Sequence, residues 1–394
     1  MPSDSPSRPS AGPQRFDARE ITDTIRRALA SAGLDTRSGP MKGVTDTIDQ
    51  ALAAAGLRSR ADATGPRGAT VEGVASTVVD ERPSAEIVQF PRADVAHRAR
   101  AGEFASRAFT NHAGTRTYKV YVPAGYRAEA SEPVPLVVML HGCTQTPDDF
   151  AAGTRMNALA DAHGFLVAYP AQAPHANGTK CWNWFRPDDQ SRDRGEPAIL
   201  AGIAREIAAS YRIDARRIFV AGLSAGASMA VILGVTYPEV FAAVGAHSGL
   251  PYGAASDMPS AFAAMNGGGA NGTGASNTAG PGAPVIVFHG DRDTTVDARN
   301  GAAIVAQATN GRVGAGSPPA STEIGTGPGG RAYSRTVYAD GTGDGAVVEH
   351  WVLHGAGHAW SGGSPSGSFT DPAGPDASAE MVRFFLSRPG ARAS

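Results

Sequence analysis

Six short apolar runs constrain this 394-residue chain more than any other feature of it. They are "PLVVML" (135–140), "FLVAYP" (165–170), "RIFVAG" (217–222), "VFAAVGAHS" (240–248), "APVIVFHG" (283–290) and "VVEHWVLHG" (347–355). A strand covered on both faces is apolar throughout rather than alternating, because neither face meets water. Helical spacing follows several of the runs, over 148–162, 197–211 and from Ser224 to about Tyr237, and a closing helix is predicted over 376–387. Strands alternating with helices predict an α/β fold with a mostly parallel central sheet and helices on both faces. Ahead of them, "FASRAFT" and "RTYKVYV" alternate around "NHAG" and predict a hairpin.

The amino-terminal quarter has a different texture. Residues 1–20 are rich in Pro, Ser and Arg and are expected to be disordered. An internal repeat follows, "ITDTIRRALASAGL" from Ile21 and "VTDTIDQALAAAGL" from Val44. Each copy puts apolar residues on one helical face and ends on a glycine stop, Gly33 or Gly56. A pair of short amphipathic helices is therefore expected over 21–57, self-packed, docked on the main body, or laid on an apolar granule or membrane surface. Residues 58–100 have the texture of a linker, and 101–390 that of one α/β domain. The Gly/Asn/Ser-rich stretch 266–283 and the similar 311–331 are expected to be loops.

Charge and motifs exclude several classes. A net charge of −2 with no long basic stretch argues against nucleic acid as a partner. No apolar run approaches the roughly 20 residues of a membrane helix. The first 20 residues show no basic n-region followed by an apolar core, so no signal peptide is expected there. The two cysteines, Cys143 and Cys181, and the histidines lack zinc-site spacing.

The chemistry is concentrated in "RIFVAGLSAGASMAVIL" (217–233), where an apolar run ends on Ser224 between Gly222 and Gly226 and a helical stretch begins. G-x-S-x-G between a strand and a helix is the nucleophile elbow of α/β-hydrolases, whose tight turn lifts the hydroxyl clear of the sheet. Such a serine needs a base and an acid, in the chain order Ser, acid, His. "FHGDRDTTV" ends the fifth run and offers Asp291 and Asp293; Asp293 is the better acid, with Asp291 closer to the strand end and suited to structuring the turn. Among His350, His354 and His358, the last lies in the glycine-rich loop "HGAGHAW" and suits a base that must reach both partners. The oxyanion donors expected are the N–H of Ala225, next after the nucleophile, and that of Cys143 in "MLHGCTQT", with His141 holding the loop.

Taken together, "LHGCTQ", "CWNWF", "GLSAGASMA", "HSGLPYG", "HGDRDTTV" and "GAGHAWSGG" resemble the poly(3-hydroxybutyrate) depolymerase family of esterases over about residues 104–388. The resemblance implies an α/β-hydrolase fold and hydrolysis of polyhydroxyalkanoate or related esters by a triad falling on Ser224, Asp293 and His358. No cofactor is implied. It suggests a disulfide between Cys143 and Cys181, against the alternative of two reduced buried thiols. Trp182, Trp184 and Trp360 become candidates for an apolar wall around the ester chain, with core packing as the competing reading, and Gln145 a candidate for shaping the oxyanion loop or meeting substrate. The family and the disulfide point to an extracellular location, a cytoplasmic one being the alternative. A feruloyl or acetylxylan esterase shares the triad and is the nearest alternative. A granule- or membrane-binding protein working through residues 21–57 is the alternative of another class.

Overall fold

The computed structural model describes residues 102–129, 132–268, 282–310, 321–339 and 346–388. The disordered segment, paired helices and linker expected over 1–100, and most of the loop at 266–283, lie outside the described residues. Two strands, β1 (Glu103–Asn111) and β2 (Gly114–Val122), form the expected antiparallel hairpin, closed by His112 and Ala113. Then follow β3 (Val134–Leu140), α1 (Pro147–Thr154), α2 (Met156–His163), β4 (Leu166–Pro170), α3 (Gly195–Ser210), β5 (Ile213–Leu223) and α4 (Ala225–Thr236). The second half comprises β6 (Ala243–His247), α5 (Met258–Met265), β7 (Val285–Gly290), α6 (Arg299–Asn310), β8 (Ser321–Thr326), β9 (Ala332–Ala339), β10 (Ala346–Leu353), β11 (Trp360–Ser361), β12 (Thr370–Asp371) and α7 (Ala377–Leu386).

Ten of these strands make one sheet in the order β1-β2-β4-β3-β5-β6-β7-β10-β9-β8. The six apolar runs form its parallel centre, β4-β3-β5-β6-β7-β10. Successive side chains of a strand point to opposite faces, and here each face buries its own core. Leu136, Val138 and Leu140 of β3 join one cluster with α3, α4 and α6, while Val137 and Met139 join the other with α1, α2 and α7. Helix α4 is apolar all round because it is buried from Ala225 to Gly234. Because the central strands run the same way, the loops after β3, β5, β6, β7 and β10 open on a single edge, where ligands of open α/β sheets bind.

Several details depart from expectation. The helix predicted over 148–162 is broken into α1 and α2 at Arg155, whose φ of 55° is left-handed and ends the first helix. Strand β8 falls inside the stretch 311–331 read as a loop; its residues are mostly exposed, so "STEIGT" carries no apolar alternation. Helix α5 was not expected and is started locally, by a capping box between Asp257 and Ser260. At the far side of the sheet, Glu349 of β10 is buried and accepts hydrogen bonds from Arg335 of β9, at 3.0 Å, and Arg383 of α7, at 2.6 Å. Burial pushes its carboxyl up, but these two guanidinium groups outweigh that and hold it below the usual range.

Candidate active site

Ser224 stands between β5 and α4 with φ 58° and ψ −120°, a conformation that costs energy for any residue with a side chain. The neighbours explain how the chain is held there. A Cβ at Gly226 would lie 2.1 Å from Leu140 O and 2.6 Å from His141 O, and one at Gly222 would lie 2.4 Å from the Gly226 carbonyl carbon. The two glycines let the elbow press against the end of β3 and against itself. Ser224 N–H donates to His247 O at the end of β6 (2.9 Å), and the Ser228 hydroxyl donates to Ser224 O (3.1 Å) while accepting from Leu250 N–H (3.0 Å). Ser224 is half-exposed between buried neighbours, so the turn presents its side chain at the sheet edge.

Asp293 and His358 meet on the same edge. His358 Nδ1 is 2.7 Å from Asp293 Oδ2, and Asp293 Oδ1 accepts the N–H groups of Thr295 and Val296, both at 2.9 Å. Burial raises the Asp293 carboxyl, yet the His358 bond and charge, the Val296 amide and nearby His289 outweigh burial and keep it below the ordinary carboxylate range. Asp293 is thus an anion at neutral pH, with one oxygen saturated by backbone and the other aimed at the imidazole. The two loops are pressed together at Gly290, where a Cβ would come 2.4 Å from Ala356 O.

The loop after β3 completes the edge. His141 is buried; its Nε2 accepts from Gln172 N–H (3.1 Å), so Nδ1 carries the proton and donates to Gly142 O (2.8 Å). Burial lowers its pKa to about 4, so the ring stays neutral and structural, as expected. Within the loop, Gly142 N–H donates to Gln145 Oε1 (2.8 Å), Thr144 N–H to Thr179 O (2.7 Å) and Gln145 N–H to Gly142 O (3.3 Å). Cys143 N–H, between these bonded amides, has no acceptor among the described residues. Ala225, as the first residue of α4, contributes another amide that the helix itself leaves unpaired.

A family model described as "Esterase PHB depolymerase" matches residues 116–319, just over half of the chain. The chain belongs to the PHB depolymerase family of esterases. Ser224 and Asp293 lie within the matched span, and His358 beyond it. Poly(3-hydroxyalkanoate) depolymerase C of Paucimonas lemoignei is 37% identical over 259 residues, covering 63% of this chain and 59% of that protein. Feruloyl esterase B of Neurospora crassa is 34% identical over 155 residues, 38% of this chain and 50% of that protein. The chain therefore spans about half the length of the curated relatives it matches. Among solved structures, an acetyl xylan esterase from Aspergillus awamori superposes with a TM-score of 0.56 at 22% identity, covering 72% of this chain and 99% of that one. That likeness supports the α/β-hydrolase fold.

Within this PHB depolymerase-family fold the remaining expected residues separate into different roles. Cys143 and Cys181 are joined by a disulfide across 38 residues, so they are not reduced thiols. The tryptophan wall needs correction. Trp182 and Trp360 are fully buried and their indole N–H groups find partners inside, His141 O at 3.1 Å and Ser378 Oγ at 3.0 Å. Trp184 is also buried, edge-on to Phe185. All three belong to the buried core, Trp182 and Trp360 with their polar handles satisfied there as well. Gln145 is committed as well: besides Gly142 N–H it holds Asp149 Oδ2 (2.9 Å) and Ser368 O (3.1 Å), so it shapes the loop rather than facing substrate. Sequence reasoning missed Asp149 and Ser368, whose two hydrogen bonds span 219 residues and leave no local signal.

Proposed function

We propose that this chain is a serine esterase hydrolysing the ester bonds of poly(3-hydroxybutyrate), related polyhydroxyalkanoates or their oligomers. The observation that carries the reading is the 2.7 Å Asp293–His358 bond on the sheet edge where the strained Ser224 elbow opens. In this reading His358 takes the Ser224 proton as the serine oxygen attacks the ester carbonyl, and Asp293 orients and stabilises the imidazolium. The N–H groups of Cys143 and Ala225 receive the oxyanion. Collapse of the intermediate expels the alcohol, which takes the proton from His358. Water then enters, gives its proton to His358, and attacks the acyl-enzyme to release the acid and restore Ser224.

The second reading, a feruloyl or acetylxylan-type esterase, is favoured by a relative of each kind, feruloyl esterase B of Neurospora crassa and a probable acetylxylan esterase A of Aspergillus fumigatus. Both readings use the same proposed triad, and specificity resides in the loops. The test compares wild type with Ser224→Ala for release of 3-hydroxybutyrate from amorphous polymer and from short oligomers. Release by wild type, lowered about 10⁴-fold or more in the variant, supports depolymerase chemistry and the nucleophile together. Turnover of acetylated xylan or feruloyl esters alone moves the assignment to the second reading. The disulfide suits an oxidising compartment, and we assign an extracellular location on that ground. The alternative in which residues 21–57 bind an apolar granule or membrane surface has its own test: deletion of residues 1–60 should then abolish adsorption to polymer while leaving soluble-ester turnover intact, and unchanged adsorption removes it.

A further inference from the structure

Among the described residues, Phe369 alone combines a left-handed backbone, φ 52°, with a large apolar side chain left 47% exposed. Glycine adopts such a φ without the steric cost a phenylalanine incurs, and the ring is not buried deeply enough to be a core residue. The main chain around it is fixed from both sides. Trp360 N–H donates to Phe369 O (2.7 Å), Gln145 Nε2–H to Ser368 O (3.1 Å), and Ser368 N–H to Asp149 Oδ1 (2.8 Å). A residue strained this way persists only where its surroundings over-determine it, and such residues gather at ligand sites. Thr144, Ser224 and Ser248, three of the other left-handed non-glycine residues, lie just past the ends of β3, β5 and β6 on the catalytic edge.

Phe369 also stands between two of the loops that matter. Trp360, whose amide it accepts, is two residues past His358. Gln145, which holds Ser368, also fixes Gly142 next to Cys143. The strand β12 that begins at Thr370 pairs with β11, so this strap ties the base loop to the oxyanion loop. From this juxtaposition we infer that Phe369 is a specificity-determining residue, its ring the apolar contact for ester substituents longer than acetyl, such as the methyl-bearing hydroxyacyl unit beside the scissile bond. The inference rests on the esterase reading above and supplies the apolar wall that the buried tryptophans do not.

The test measures kcat/KM of wild type, Phe369→Gly and Phe369→Leu on a 3-hydroxybutyrate trimer and on p-nitrophenyl acetate, with thermal midpoints. Phe369→Gly should keep or raise the midpoint and hold acetate turnover within about twofold. It should lose about 10-fold or more on the trimer, chiefly through KM, as removal of an apolar pocket contact does. Phe369→Leu should recover part of that loss. Equal losses on both substrates, or an unchanged trimer rate, overturns the assignment. If wild type leaves the trimer intact, the depolymerase reading fails by itself, and Phe369 is then judged on p-nitrophenyl octanoate against acetate: a selective octanoate loss sustains the contact, an equal loss removes it.

Discussion

His354 Nδ1 lies 3.0 Å from Asp291 Oδ2, a second imidazole–carboxylate pair just upstream of Asp293 and His358 in both loops. Asp291 Oδ1 also accepts Gly355 N–H (2.6 Å), Asp291 N–H donates to Leu353 O (3.1 Å) and Arg292 N–H to Ala356 O (3.0 Å). His354 Nε2 reaches Ser334 Oγ on β9 at 2.8 Å. The parallel pairing of β7 with β10 thus continues past the strands and ends on the proposed catalytic pair, Asp293 and His358. Asp291→Ala should cut kcat by about 10-fold or more with KM within about twofold, since a misplacement near 1 Å can cost about 10² in rate. Steady-state kinetics on a soluble aryl ester decides this; an unchanged kcat would mean that the main-chain bonds alone hold the loops.

The elbow glycines make a sharper stability prediction. An alanine at 226 would meet Leu140 O at 2.1 Å, and one at 222 would meet Leu140 O at 2.7 Å; both obstacles are backbone. Neither can yield without moving β3, so each substitution should cost about 4 kcal/mol or more, or prevent soluble expression. At Gly178 a Cβ meets nothing within 4 Å, and Gly178→Ala should stay within about 1 kcal/mol of wild type. Urea melts of the three variants separate a clash at the elbow from a general intolerance of alanine.

The parallel centre of the sheet was legible because its strands are apolar on both faces and helical spacing separates several of them, and that signal is local. The placing of Ser224, Asp293 and His358 in loops on one edge was legible because each follows the end of such a strand. What was not legible is long-range or mostly exposed. Ser368 holds Asp149 from across the chain, β8 displays "STEIGT" to solvent, and Phe369 reveals itself only through its backbone angle and exposure. The three tryptophans were ambiguous for a related reason. An indole beside a catalytic motif has the same sequence appearance whether its N–H points into the core, as Trp182 and Trp360 do, or toward substrate.

Reduction of the disulfide should separate stability from chemistry. Cys143–Cys181 closes a 38-residue separation, for which the chain-entropy model gives about 4 kcal/mol as an upper range. The loop that carries Cys143 has other restraints: Thr144 N–H on Thr179 O, Trp182 Nε1–H on His141 O and Gln172 Nε2–H on Cys181 O (2.8 Å). Cys181→Ala, which leaves Cys143 in place, should therefore lose about 2–4 kcal/mol in urea unfolding while kcat falls by no more than about 10-fold. A complete loss of turnover in a variant that still unfolds cooperatively would show that the bridge itself sets the Cys143 amide.

Four histidines outside the proposed catalytic triad set the response to acid: His141, His247 and His289 are buried and His350 partly so, and burial lowers all four. Burial lowers His141 to about 4, His350 to about 4 and His247 to about 3, with neighbouring His289 adding to the last two shifts. His247 Nε2 accepts Ser361 N–H (3.0 Å), so a proton on that nitrogen would break a buried bond as well as charge the core. Since each folded pKa lies below the unfolded 6.5, the unfolded chain binds more protons between pH 6.5 and about 4, and stability falls as pH falls through that window. Near pH 5 the uptake by His141, His350 and His247 alone should approach three protons, a slope of about 4 kcal/mol per pH unit to which His289 adds. His247→Gln should remove about a third of that slope, whatever it does to stability at pH 7. Urea unfolding free energies at half-unit steps from pH 7 to 4.5 measure both, and a flat profile between pH 6.5 and 5 would mean that these rings are not held neutral in the fold.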